Sequence, residues 1–437
     1  MKVPNILQTL FYNNKVENIK PASVQPQIFQ FQSNDQDLMR GLIIEHRKDD
    51  VQPSQSRPKQ LSSPQDWTWD NPTQVYTKDY IDEHRFEIRA AEGKPLSSDL
   101  NFNTEDGIYM LKHLSFDNKT FQNTSEENLP QGWNPQQIIE EGRSIGQNID
   151  KTHEMGYTGK GITVAVVDSP IIMHQDIESS LASYEIMDNA DKYKQPADMH
   201  GQATSDILVG DKDGVAPDSN LVYFAATGGV YGEPMINDRL QALQRIVEIN
   251  KNAKPEDKIK VVSLSWGINE GEEGYDEYLK ILQTLVNDGV FVVTADMNMS
   301  NGSIYGMNMP YKTLHKKDQT DDQNNFSNYV VSLSPGEADE SLCILAGDRT
   351  VASAISPNKY RHDSQDSTSW TVPALAGIYT CALQCAKEND VELTPQKFWQ
   401  WALETGVPVN YENGENGGKA IDTEALCKYI ENQGQNK

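Results

Sequence analysis

Four short runs of apolar, largely β-branched residues alternate with amphipathic stretches, and this alternation constrains the fold more than any other feature. ITVAVV (162–167), NLVYFAA (220–226), KVVSLS (260–265) and VFVVTA (290–295) each have the length of a buried strand. Between them, NDRLQALQRIVEIN sets Leu240, Leu243, Ile246 and Val247 on one stripe, with Asp238 favouring its first turn. EYLKILQTLVNDG is a second helix, closed by Gly289. Strands alternating with helices predict an α/β class: a doubly wound, mostly parallel sheet flanked by helices and joined by right-handed crossovers. In such sheets the reacting groups gather at the C-terminal ends of the strands.

Three residues sit where that geometry can use them. Asp168 ends the strand of VAVVDSP, so its carboxylate is held at the sheet edge, able to accept from an imidazole N–H; a turn or cap aspartate is the ordinary alternative. His200 begins the helix of HGQATSDILVG, where Gly201 and Ala203 leave room for close packing against the sheet. His174, His315 and His362 fall in polar surroundings that read as solvated loops. Ser369 stands at the start of WTVPALAGIYTCALQCA, a helix apolar on all sides and therefore central. Its hydroxyl lies at the positive end of the helix dipole, beside backbone N–H groups free to hold an oxyanion; an ordinary serine cap is the alternative. Pro373 is tolerated because it falls in the first turn, whose N–H groups have no helical partner. Asp, His and Ser in that chain order form one of the known arrangements of a nucleophilic triad.

Composition narrows the partners. With 38 Lys+Arg against 64 Asp+Glu the net charge is −26, which repels nucleic acid and anionic membrane alike. No segment approaches the roughly 20 apolar residues of a membrane span, and MKVPNILQTLFYNNK has no apolar signal core, so the expected location is cytoplasmic. Four cysteines in a chain of 437 residues do not make a disulfide framework, and Cys381 and Cys385 read as buried thiols rather than ligands.

Residues 1–95 read as a polar, partly disordered extension, 96–135 as a leader packing on the body, and 136–437 as the catalytic domain. Within the extension, Trp67 and Trp69 are candidate anchors. Part of residues 1–130 is expected to cover the substrate cleft or recruit a partner. The stretch 297–350 carries no clear helix or strand pattern.

Over about residues 145 to 430 the chain resembles the subtilisin-like serine peptidases, the subtilases. The resemblance rests on Asp168 in VAVVDSP, His200-Gly201, GVAPDSNLVYFAA, SLSWG, and Thr368-Ser369 with Pro373. GKGITVAVVDSPIIMHQDI and DRTVASA are similar to segments of intracellular bacterial members. The resemblance implies an endopeptidase acting on peptides or proteins through an acyl-enzyme. Asp168 would orient, His200 act as base and Ser369 as nucleophile, with Asn298 as oxyanion donor. Ser265, Trp266 and Gly267 would be the edge that pairs with an extended peptide. The chain departs from the family at Ser367, where glycine is usual, at Trp370 after the nucleophile, at Gln202 and Ala203, and at Met297. Those departures favour a second reading, a catalytically weak peptide-binding or regulatory module. No cofactor is required; Ca²⁺ is one that the family suggests for the acidic loop DQTDDQNN (318–325), which otherwise reads as a solvated loop without EF-hand spacing.

Overall fold

The structure is a computed structural model that describes residues 95–96, 98, 100–227, 235–268, 270–295, 303–304, 309–317, 322–331, 341–364 and 367–435. The expectations for residues 1–94, including Trp67 and Trp69, lie outside the described residues, as do Met297 and Asn298.

The elements run α1 (Glu105–His113), β1 (Phe116–Asp117), α2 (Pro135–Glu141), α3 (Ile149–Glu154), β2 (Thr163–Asp168), β3 (Leu181–Ile186), α4 (Asp188–Lys192), α5 (Met199–Val209), β4 (Asn220–Ala225), α6 (Met235–Asn252), β5 (Ile259–Leu264), α7 (Tyr275–Asn287) and β6 (Phe291–Thr294). There follow β7 (Ser303–Ile304), β8 (Met309–Lys316), β9 (Tyr329–Val331), β10 (Leu342–Leu345), β11 (Arg349–Ala352), β12 (Tyr360–Asp363), α8 (Thr368–Glu388), α9 (Pro395–Thr405), β13 (Val407–Asn410), β14 (Asn416–Ala420) and α10 (Thr423–Gln435).

The main sheet runs β13-β14-β10-β8-β7-β6-β5-β2-β4-β3, with β9 beside β8. Its half from β3 to β6 is parallel throughout. Because side chains alternate across a strand, β2 feeds two cores: Val164 and Val166 pack in the cluster built with α5 and α8, Ala165 and Val167 in the one built with α6 and α7. β4 does the same with Leu221 and Tyr223 against Val222 and Phe224. Each such side chain taken from water contributes about 1.5–3 kcal/mol. Helix α8 is the pillar of the first core; its Tyr379 stacks on Phe291 at 3.8 Å between ring centroids. This is the doubly wound, mostly parallel α/β sheet that the strand and helix pattern predicts.

The stretch 297–350 holds more structure than its sequence suggests, since β7, β8, β9, β10 and the start of β11 lie in it. Three of its strands, β7, β9 and β10, are two to four residues long, and β10 also pairs with distant β14, so local periodicity does not reveal them. His174 and His362 are fully buried, not solvated: His174 Nε2 bonds the Lys359 carbonyl at 2.8 Å, and His362 lies within β12 against Phe116. Cys343, Cys381, Cys385 and Cys427 are free thiols, all buried. Ahead of the main sheet, β1 pairs antiparallel with β12, over a cluster that includes Phe102, Phe116 and Phe121.

Asp238 does more than favour a helix start. It is buried, and its carboxylate accepts from the backbone N–H groups of Asn189, Ala190 and Thr227, each at 2.9 Å, tying α4 and the end of β4 to α6. Asp238→Ala would leave three covered donors without a partner and is expected to cost about 2–5 kcal/mol in urea unfolding. A loss under about 1 kcal/mol would contradict this role.

Candidate active site

Asp168 is the last residue of β2, and Ser265 follows the last residue of the adjacent β5, so both stand at the C-terminal edge of the sheet. Asp198 caps α5 by accepting the His200 N–H at 2.8 Å, which sets His200 in the first turn. The helix comes close to the strand end because residue 201 is glycine: a Cβ there would collide with the Ser169 carbonyl oxygen. The Tyr223 hydroxyl donates to that same carbonyl at 2.5 Å, pinning the turn.

The result is a tight pair. His200 Nδ1 lies 2.8 Å from Asp168 Oδ1 and 3.0 Å from Oδ2. Asp168 also accepts from the Ser169 N–H at 2.7 Å, from Ser169 Oγ at 3.2 Å and from Thr204 Oγ1 at 3.1 Å. An acceptor this well supplied fixes the Nδ1–H tautomer of His200 and leaves the Nε2 lone pair available. Burial acts to raise the Asp168 pKa, but the His200 charge and the bonds from His200 and Ser169 outweigh it and hold the carboxyl below its ordinary range. Burial likewise pulls His200 down, and the facing Asp168 charge and hydrogen bond, helped by Asp198, leave it above the usual imidazole value. Ser169, Asp198 and Thr204 were not singled out in the sequence. Thr204, one turn after His200 on the same helix face, is the one that spacing alone could have found.

Ser369 is free for chemistry because another residue caps its helix. Ser367 is the N-cap of α8, its Oγ accepting the Ser369 N–H at 3.2 Å. That bond corrects one expectation, since the Ser369 N–H is engaged rather than open. Ser369 Oγ donates to the Ser265 carbonyl at 3.5 Å, a long contact. Among the described residues no hydrogen bond joins it to His200. Pro373 lies beyond the first turn, so its missing N–H leaves the Ser369 carbonyl without a helical donor. Ser265 Oγ fills that vacancy, donating to the Ser369 oxygen at 2.7 Å and fastening the start of α8 to the end of β5. Trp266 Nε1 donates to the Val167 carbonyl at 2.7 Å, and Trp370 packs into the core with its ring 5.4 Å from that of His200. The structure thus gathers Asp168, His200, Ser265, Trp266 and Ser369 at one sheet edge.

The calcium expectation meets committed side chains. In the acidic loop, Asp322 accepts the Asn324 N–H and Asn325 caps Ser327; residues 318–321 lie outside the described set. Elsewhere Asp176, Asp206 and Asp213 converge, all buried. That cluster does not fit a hard cation, because guanidinium groups already face it. Arg143 holds Asp213 with bonds of 2.9 and 3.0 Å, and Arg349 lies beside Asp206 and Asp213. Burial, then the neighbouring Asp213 and Asp176 charges, push Asp206 well above its usual range, so a proton shared with Asp176 serves its otherwise unpartnered Oδ1. Burial also pushes Asp213 up to about 7, with Arg143 opposing. Raised carboxyl pKa values mean that the folded chain keeps protons the unfolded chain releases, so stability falls as pH rises from about 4 to about 7. Asp206→Asn mimics the protonated acid. It should flatten this slope and melt higher than wild type at about pH 8 while matching it near pH 4. Equal destabilisation at both values would overturn the assignment.

The family model described as "Subtilase family" matches residues 159–419. Serine protease AprX of Bacillus subtilis (strain 168) is 26% identical over 272 residues, covering 55% of this chain and 60% of that protein. Neuroendocrine convertase 2 of Caenorhabditis elegans is 27% identical over 132 residues, 28% of this chain and 19% of that protein. The chain therefore spans less than two thirds of either relative. Among solved structures, the prenylagaramide maturation protease PagA is similar with a TM-score of 0.46 and 16% identity, over 64% of this chain and 98% of that one. With the family match spanning the sheet from just before β2 through β14, the chain belongs to the subtilase family of serine peptidases.

Proposed function

We propose that the chain is a serine endopeptidase in which Ser369 is the nucleophile, His200 the general base and Asp168 the group that orients and charges the imidazole. The observation that carries this reading is the contact of buried Asp168 with half-buried His200, set one strand away from a serine whose capping duty has passed to Ser367. Neutral His200 takes the Ser369 proton on Nε2 as Oγ attacks the scissile carbonyl. The imidazolium, stabilised by Asp168, then gives that proton to the leaving amine, and water repeats the cycle on the acyl-enzyme. Engagement requires Ser369 Oγ to rotate from Ser265 toward His200, a tightening that substrate-free enzymes commonly leave to the bound complex. The base must be neutral, so acidification through a midpoint above the ordinary 6.5 of histidine removes activity.

Asn298 is assigned to the oxyanion by its place shortly after β6, and a second donor, the Ser369 N–H, becomes available when Ser367 Oγ turns away. An extended peptide is assigned to the edge at Ser265, Trp266 and Gly267, and the proposed location is cytoplasmic. Among the described residues no helix is long and apolar enough to cross a membrane. The engaged Ser369 N–H favours the second reading, a catalytically weak peptide-binding module.

A fluorophosphonate probe separates the two. Purified full chain should be labelled at one site, and labelling should vanish in Ser369→Ala and in His200→Ala, with peptide hydrolysis lost in parallel by at least about 10³-fold. Folded wild type that binds peptides yet neither reacts nor hydrolyses them would establish the binding module.

A further inference from the structure

Five arginines fall among the described residues, and four of them have acceptors. Arg143 bonds Asp213 and Glu140, Arg245 bonds Glu185 and Glu248, Arg361 bonds Asp363, and Arg349 bonds the Asp213 carbonyl. Arg239 has none. Its guanidinium carbon lies 4.4 Å from the centre of the Trp266 ring, stacked on the residue that follows Ser265. The carboxylates that might have claimed it are engaged elsewhere. Adjacent Asp238 is spent on three backbone N–H groups, and Asp168 on His200, Ser169 and Thr204.

A partly covered cation with no hydrogen-bonded carboxylate is costly, and burial pushes Arg239 down to about 10, with the charge of nearby Asp168 opposing. In so acidic a chain, a guanidinium with no acceptor among the described residues, beside the proposed substrate edge, calls for an explanation. Planar, forked and placed over an indole, it has the donor geometry that recognises a carboxylate. Trp266 is itself fixed, since its Nε1 donates to the Val167 carbonyl immediately before Asp168. The arginine is thus mounted on the same rigid edge that carries the chemistry.

Resting on the peptidase reading above, we propose that Arg239 is a specificity-determining residue that selects peptides carrying an Asp or Glu side chain on the segment paired along Ser265–Gly267. The substrate carboxylate would supply the hydrogen-bonded acceptor that no described residue provides, while the Trp266 ring covers one face of the pair.

The test uses the full chain and a fluorogenic peptide library in which each position on the acyl side of the cleaved bond is varied among Glu, Gln, Leu and Lys. Wild type should favour Glu over Gln at one position by at least about tenfold in kcat/KM, the scale of one charge-assisted bond. Arg239→Leu should reduce that ratio to near unity while leaving turnover of the Gln peptide and fluorophosphonate labelling within about threefold. Arg239→Glu should invert the preference toward Lys. No acidic preference in labelled, active wild type would overturn this proposal alone. A uniform fall in turnover of acidic and neutral peptides in Arg239→Leu would also overturn it, assigning the arginine to the field around Asp168. Absence of labelling in wild type would instead remove the peptidase reading on which the proposal rests.

Discussion

One contact organises the functional end of this molecule: the carboxylate at the end of β2 meeting the imidazole in the first turn of α5. Everything around it serves to bring a strand end and a helix start within hydrogen-bond distance. Gly201 removes the side chain that would hold them apart, Tyr223 fixes the turn after Asp168, and Ser169 and Thr204 occupy the remaining lone pairs of the carboxylate. A buried carboxylate is tolerable only when hydrogen-bonded, and this one has more donors than charge neutrality alone demands. The surplus rigidity sets the imidazole in one tautomer and one orientation.

The third member of the site is placed by a defect. Pro373 removes a helical donor, the Ser369 carbonyl is orphaned, and Ser265 Oγ takes it. A proline inside a helix usually costs about 3 kcal/mol, and here the missing bond is replaced by one that joins α8 to the sheet edge. Ser367 completes the arrangement by capping the helix, so that neither the cap nor the helix ladder calls on the Ser369 hydroxyl. The same cap engages the Ser369 N–H, so one side chain both frees the proposed nucleophile and occupies a proposed oxyanion donor.

How much of this was legible in the sequence depends on the range of the interactions. Strands β2, β4, β5 and β6 declare themselves, because a strand buried on both faces must be apolar at nearly every position. Helices α6 and α7 show their stripes for a similar reason. The segment from β7 to β11 does not, since most of its strands are brief and β10 finds one of its partners far along the chain. His362 and Arg361 look exposed by composition yet are buried, Arg361 paired with Asp363 two residues on. Asp168, His200 and Ser369 were visible as three local settings in the right order. Their supports were less so: Asp198, Ser169, Thr204 and Ser367 are common residues whose meaning comes from what folds against them. That Arg239 stacks on Trp266 and bonds no carboxylate among the described residues could not be read without knowing how Asp168 and Asp238 are engaged.

The account stands or falls on the claim that Asp168 holds His200 as a poised, correctly protonated base. Histidine-labelled NMR reads this directly. The account predicts a low-field Nδ1 proton on His200 and a titration midpoint above about 6.5, both lost in Asp168→Asn. A midpoint at or below that value, indifferent to the Asp168→Asn change, would contradict it.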